Sequence, residues 1–183
     1  MVQRKSPGNR RKPVDFIRSV GELLTDLIQA GPQPTLVGGM ALVTLGSKRV
    51  TKDFDFLVGA DAREQAAVIE VFYKHGFQLA SRLDQHGEVV STIDNQGIAS
   101  TRLRIDKPHS AYFYNHTLAL RVDLLFDFPI PAQGVYERST QKKIQSYSFR
   151  IASREDLIRM KEIAAEDRKL SSDLQDLEFL KKE

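Results

Sequence analysis

Thr35-Leu36-Val37-Gly38-Gly39-Met40-Ala41-Leu42 places three strand formers directly before a glycine pair and a helix-forming run. Thr35-Leu36-Val37 is short and apolar enough to be a buried strand, and Met40 to Leu45 reads as a short helix that stops at Gly46. Glycine lets a backbone approach a ligand closely, and the free N–H groups of a following helix favour an anion such as a phosphate. Fourteen residues after Gly39, Asp53-Phe54-Asp55 opens a second strand continued by Phe56-Leu57-Val58. Carboxylates at i and i+2 on a strand share one face while Phe54 takes the other. Two acids side by side repel unless a cation neutralises them, and hard oxygen donors suit Mg²⁺. Arg49 and Thr51 lie between the two halves and are candidates for holding a nucleoside triphosphate (NTP).

Outward from this centre the chain alternates helix and strand. Ile17, Val20, Leu24, Leu27 and Ile28 predict one apolar helical face over 13–30, ended by Gly31-Pro32. Asp61 opens a second amphipathic helix that closes at His75-Gly76. Residues 77–106 read as short strands parted by turns at 85–87 and 94–97, with Ile98 to Ile105 the clearest run. Leu118 to Phe126 is strongly β and breaks at Phe128-Pro129, and Lys143 to Ile151 reads as one further strand. Ser153-Arg154-Glu155-Asp156 has capping-box spacing, and C-terminal helices follow over about 153–181. The expected class is α/β (α+β), a mixed sheet flanked by helices.

Within Leu120-Arg121-Val122-Asp123-Leu124-Leu125-Phe126 an acid stands inside an apolar strand, which makes Asp123 a third candidate carboxylate. Asp127 shares that face and competes with it. Leu157, Lys161, Ala164 and Arg168 stand at i, i+4, i+7 and i+11, so two cations lie along one helical stripe. Lys161 either snorkels to water or reaches a triphosphate. Asp173 and Asp176 are solvated or pair with Arg168. His75, His86, His109 and His116 have no metal-ligand spacing and are read as surface residues.

The length of 183 residues, 41% apolar and 28% charged, corresponds to roughly one domain with a sizeable core. The absence of cysteine excludes disulfide scaffolds, thiol nucleophiles and iron–sulfur sites, and fits a cytoplasmic setting. Leu27 to Ser47 carries no charge, but glycines and prolines interrupt it, so neither a membrane span nor a signal peptide is expected. Residues 1–12 hold Arg4, Lys5, Arg10, Arg11 and Lys12 without an acid; the net charge of +3 thus becomes −2 for residues 13–183. They are read as a flexible basic arm preceding a single domain over 13–183, either a solvated tail or a phosphate-attracting segment.

Taken together, Val37 to Leu42, Arg49 to Phe56, Val122 to Leu125 and Asp156 to Lys161 with Arg168, Asp173 and Asp176 resemble the nucleotidyltransferases of DNA polymerase β type. More narrowly they resemble the AbiEii-type enzymes of toxin–antitoxin systems. The resemblance spans roughly 35–180, with one departure: Gly39 stands where many superfamily members have serine. It implies a minimal nucleotidyltransferase fold and Mg²⁺ held by Asp53, Asp55 and Asp123. Gly38 and Gly39 would cradle the terminal phosphates of ATP or another NTP, and Asp123 would serve as ligand and as base. Nucleotide contacts would also come from Arg49, Thr51, Lys161 and Arg168. A nucleoside monophosphate would pass to an acceptor hydroxyl, RNA or tRNA being favoured, in a toxin with a cognate antitoxin as partner. The alternatives are a catalytically silent nucleotide- or RNA-binding protein and a transferase acting on a small-molecule antibiotic.

Overall fold

The computed structural model describes residues 15–105, 109–168 and 170–182, so the basic arm expected over 1–12 lies outside the described residues. Helix α1 (Phe16–Gln29) starts where the Asp15 carboxylate accepts from the Arg18 N–H at 3.0 Å. It buries Val20, Leu23, Leu24 and Leu27. Ile28, assigned above to the buried face, is instead exposed. Strand β1 (Thr35–Val37) runs into α2 (Gly38–Thr44), which begins at the first glycine rather than at Met40. Strand β2 (Phe54–Val58) follows, then a 3-10 turn (Ala62–Glu64) capped by Asp61, and α3 (Gln65–Lys74).

The central part departs from the reading of 77–106 as strands. Strands β3 (Gln78–Leu83) and β4 (Val89–Thr92) are present, but α4 (Gln96–Arg102) replaces the run expected from Ile98. Asn95, taken as a turn residue, accepts from the Ile98 N–H at 2.9 Å and so caps a helix. Ala99 is buried, and Gln65 of α3 donates to the Ser100 carbonyl at 2.8 Å. Strand β5 (Ser110–Asn115) was not anticipated, although its burial alternates residue by residue. Strand β6 (Leu120–Phe126) is as expected; α5 (Ala132–Arg138) was missed. The strand expected over 143–151 is a hairpin of β7 (Thr140–Ile144) and β8 (Tyr147–Ile151), with Gln145 at φ 54° in its turn. Helix α6 (Arg154–Arg168) opens with the expected capping box: Ser153 Oγ accepts from the Asp156 N–H and donates to its carboxylate. Helix α7 (Ser171–Lys181) packs back on α6.

The eight strands form one mixed sheet in the order β4-β3-β5-β6-β2-β1-β8-β7, with β2/β6 and β1/β8 parallel and the other pairs antiparallel. Phe54, Phe56, Val122, Leu124 and Phe113 share one face, where Phe113 stacks on Phe72 of α3 with ring centroids 3.8 Å apart. By strand alternation the residues between them, Asp55, Asp123, Arg121 and Tyr112, share the opposite face. That parity, set by the phenylalanines seeking the core, aims the acids away from it.

Candidate active site

The register pairs Asp55 of β2 directly with Asp123 of β6, on parallel strands that lie about 4.8 Å apart. Asp53 precedes β2 on the same face and is exposed, with no hydrogen-bond or ion-pair partner among the described residues. Asp55 is half-buried and likewise accepts no hydrogen bond among them. Burial, and then repulsion from Asp53, raises its carboxyl above the ordinary carboxylate range; Arg121, Lys161 and Arg49 oppose the shift. Asp123 is 4% exposed. Burial pushes its carboxyl up to about 7, and Asp55 and Asp53 add to the effect.

Arg121 restrains Asp123 from the same strand, donating through Nε and one terminal nitrogen to the two carboxylate oxygens at 2.7 Å each. Its other terminal nitrogen donates to the Gly87 carbonyl at 2.6 Å, and its guanidinium lies 4.6 Å from the centre of the Tyr112 ring. Neither residue was singled out from the sequence. The i, i+2 spacing of Arg121 and Asp123 carried the signal for the first, but Tyr112 needed β5.

Gly38 closes the site from the other side. Its φ of +63° is left-handed, and a Cβ there would stand 2.0 Å from an Asp55 carboxylate oxygen, so the backbone packs directly on the acid. A Cβ on Gly39 would meet Arg49 Nε at 3.0 Å and Thr51 Cγ2 at 3.4 Å. The glycine pair, Arg49, Thr51 and Asp55 are therefore neighbours. Arg49 pairs with Asp176, which also accepts from Lys161 at 2.6 Å, while Asp173 accepts from Lys161 at 3.0 Å. Lys161 thus does not snorkel to water; its side chain is 12% exposed and held between two acids of α7. Asp176 is buried rather than solvated and pairs with Lys161 and Arg49; the alternative pairing with Arg168 falls outside the described residues. Arg168 ends α6, and its side chain lies outside the described residues.

Asp127, the competitor of Asp123, has a local role. Its oxygens accept from the N–H groups of Ala60 and Ala132, each at 2.8 Å, tying the ends of β2 and β6 to the start of α5. His75 is half-buried and meets Asp26 at 2.8 Å, so it is not a free surface residue. Among the described residues no three carboxylates or imidazoles stand close enough to hold a metal as they are. The donor chemistry nevertheless fits a hard cation: Asp53, Asp55 and Asp123 offer carboxylate oxygens on one sheet face, the first two without a hydrogen-bond partner among the described residues and the third engaged by Arg121.

The family model described as "Nucleotidyl transferase AbiEii toxin, Type IV TA system" matches residues 22–183. The chain belongs to the AbiEii nucleotidyltransferase family. Solved structures share its α/β fold. A lincosamide antibiotic adenylyltransferase, LnuA, superposes with a TM-score of 0.54 at 12% identity, covering 90% of this chain and 96% of that one. The antibiotic-resistance factor ANT(2'')-Ia gives 0.55 at 13% identity, covering 90% and 81%. A Thermotoga maritima nucleotidyltransferase gives 0.54 at 8% identity, covering 84% and 87%. None of the curated proteins matches the sequence. As an AbiEii family member the chain is a nucleotidyltransferase, and among its described residues no helix is long and apolar enough to cross a membrane.

Proposed function

We propose that this AbiEii family member transfers a nucleoside monophosphate from an NTP to a hydroxyl of RNA, tRNA included, as the toxin of a toxin–antitoxin pair. The observation that carries the catalytic part is the direct pairing of Asp55 with Asp123 beside the unpartnered Asp53. Asp53, Asp55 and Asp123 would hold Mg²⁺, which when bound supplies charge neutralisation at the α-phosphate and the leaving pyrophosphate. The chain's own residues do the rest. Gly38 and Gly39 let the phosphates approach the backbone beside Asp55, and Arg49 and Thr51, packed against Gly39, flank them. Lys161 keeps positive charge near Asp55 through its seat between Asp173 and Asp176. Arg168 is assigned to the nucleotide from the sequence pattern alone.

In the reaction the acceptor oxygen forms a bond to the α-phosphorus, the bond to the β-phosphate oxygen breaks, and pyrophosphate leaves. The acceptor proton passes to Asp123, which stands opposite Asp55 on the same sheet face. The toxin role and the antitoxin partner rest on family membership. The cytoplasm, where NTPs and RNA occur together, is the setting the reading requires. A second reading, a silent nucleotide binder, draws on the Arg121 fork, which engages both oxygens of Asp123.

The deciding experiment incubates the protein with each α-³²P-labelled NTP, Mg²⁺ and total RNA. Label entering RNA with one nucleotide, and lost in Asp53→Asn, is the expected result. Retained NTP binding without transfer would favour the silent binder; label entering an antibiotic but not RNA would replace the acceptor.

A further inference from the structure

The hairpin of β3 and β4 is anchored at its base and fastened at its tip. At the base the Tyr73 hydroxyl donates to the Ile93 carbonyl and accepts from the Leu79 N–H at 3.3 Å. The Ile93 N–H reaches the Leu79 carbonyl at 2.8 Å, and Thr92 donates to Gln78 at 2.6 Å. Beyond Leu79 the hairpin leaves the sheet: β3 pairs with β5 only at Gln78 and Leu79, and its register with β4 shifts between Ala80 and Arg82 and again before Leu83. A cavity of about 440 Å³ is lined by Ala80 and Ser81 of the hairpin and by Ser110 and Ala111 of β5, so the arm is not packed on its neighbouring strand there.

Nothing between Ala80 and Asp94 is buried, which marks a segment able to open without unfolding the domain. Its turn is braced internally, because Asp84 accepts from the His86 and Glu88 N–H groups at 2.8 and 2.9 Å. Among the described residues one hydrogen bond ties 80–91 to the rest of the domain, from Arg121 to the Gly87 carbonyl at 2.6 Å. The same guanidinium holds both oxygens of Asp123 at 2.7 Å and lies on the Tyr112 ring. Arg121 belongs to the sheet face that carries the acids, so the hairpin tip comes down beside Asp123, with one side chain joining the two.

That side chain and a metal ion want the same oxygens. A carboxylate that neutralises a divalent cation holds a guanidinium less strongly, and the cation repels the guanidinium. We infer that Arg121 is a positioning residue that latches the β3–β4 hairpin over the site, and that occupation of the acids by a divalent cation releases the latch. The hairpin is then a flap that covers Asp123 until the cation is loaded, and its opening clears the face where an acceptor must approach. This regulation rests on the nucleotidyl-transfer reading of Asp53, Asp55 and Asp123.

Hydrogen exchange of the full chain, followed by mass spectrometry on peptides covering 80–93, tests it with Mg²⁺ alone at constant ionic strength. Mg²⁺ should speed exchange in the hairpin about tenfold or more, the effect of losing a charge-assisted hydrogen bond, while β2 and β6 do not speed up. Arg121→Lys keeps a cation beside Asp123 but cannot fork to Gly87. Its hairpin should exchange fast without metal and respond little to Mg²⁺. In Asp53→Asn, which weakens the cation site, Mg²⁺ should leave the wild-type-like slow exchange in place. Melting temperatures with and without Mg²⁺ report binding independently.

A melting temperature raised by Mg²⁺ with hairpin exchange unchanged or slowed would overturn the release and leave the transferase reading standing; a purely structural Arg121 gives that result. Slow hairpin exchange in metal-free Arg121→Lys would overturn the latch. If that variant does not fold, the wild type and Asp53→Asn decide. Wild-type protein in which Mg²⁺ changes neither melting nor exchange would overturn the flap together with the reading of the three acids as a cation site.

Discussion

Arg121 holds both carboxylate oxygens of Asp123 from two residues earlier on the same strand, at 2.7 Å each. The same guanidinium is pinned by the Gly87 carbonyl and the Tyr112 ring, so the fork is supported on three sides. Even with this partner, burial keeps the Asp123 carboxyl near 7.

That raised value gives stability a pH dependence. An ordinary Asp in the unfolded chain titrates near 3.9, so between about pH 4 and 7 the folded protein binds more protons than the unfolded one. Stability without divalent metal therefore falls as pH rises through this window, and Asp55, shifted in the same direction, adds to the slope. Melts between pH 5 and 8 should show a drop of about 3 °C or more, the size expected for ~1 kcal/mol in a chain of this length. Asp123→Asn should flatten the profile, and Mg²⁺ should raise the melting temperature most at the alkaline end.

Asp53→Asn is expected to abolish transfer and leave the metal-free melting temperature unchanged or a few degrees higher. The substitution removes a repulsion on Asp55 and breaks no hydrogen bond or ion pair among the described residues. Calorimetry without Mg²⁺ checks this; a large loss of stability would make Asp53 structural.

The two glycines should respond differently. Gly38→Ala forces a side chain into a left-handed backbone, costing about 1–2 kcal/mol, and drives its Cβ into the Asp55 carboxylate. Loss of NTP binding together with stability is expected. Gly39→Ser brings its Cβ 3.0 Å from Arg49 Nε without a left-handed backbone, so only a small shift of that side chain is needed, and a stability change of about 1 kcal/mol or less with retained NTP binding is expected. Denaturant titration and NTP binding measured on both variants separate the cases.

Lys161→Met should destabilise by about 3 kcal/mol or more, because it leaves Asp173 and Asp176 buried beside each other. Adding Asp173→Asn should recover part of that loss. If Lys161 acts on the triphosphate as well, the double variant regains stability without regaining NTP affinity.

Much of this site was legible because its sequence signals are local. The strand, glycine pair and helix around Gly38, and the alternation of acid with phenylalanine at 53–56, each follow from nearest neighbours. The parity of Val122-Asp123-Leu124 placed Asp123 on a strand, but only the β2/β6 register makes it face Asp55. What escaped reading depended on distant partners. Residues 98–105 look strand-like until Asn95 captures the Ile98 N–H, and the Asp176 contacts with Arg49 and Lys161 join segments far apart in sequence. Ser110 to Asn115 was a different kind of miss, since its period-two alternation was present in the residues themselves.

The separation of these parts along the chain sets when the protein becomes competent during its synthesis. Asp53 and Asp55 emerge first, Asp123 much later, and Asp176, which ties Arg49 to Lys161, later still. At roughly 5–20 residues per second, a ribosome takes on the order of ten seconds to travel from Asp55 to Asp176. Throughout that interval the nascent polypeptide lacks part of the constellation. A chain terminated before α7 lacks the two acids between which Lys161 is held and the partner of Arg49.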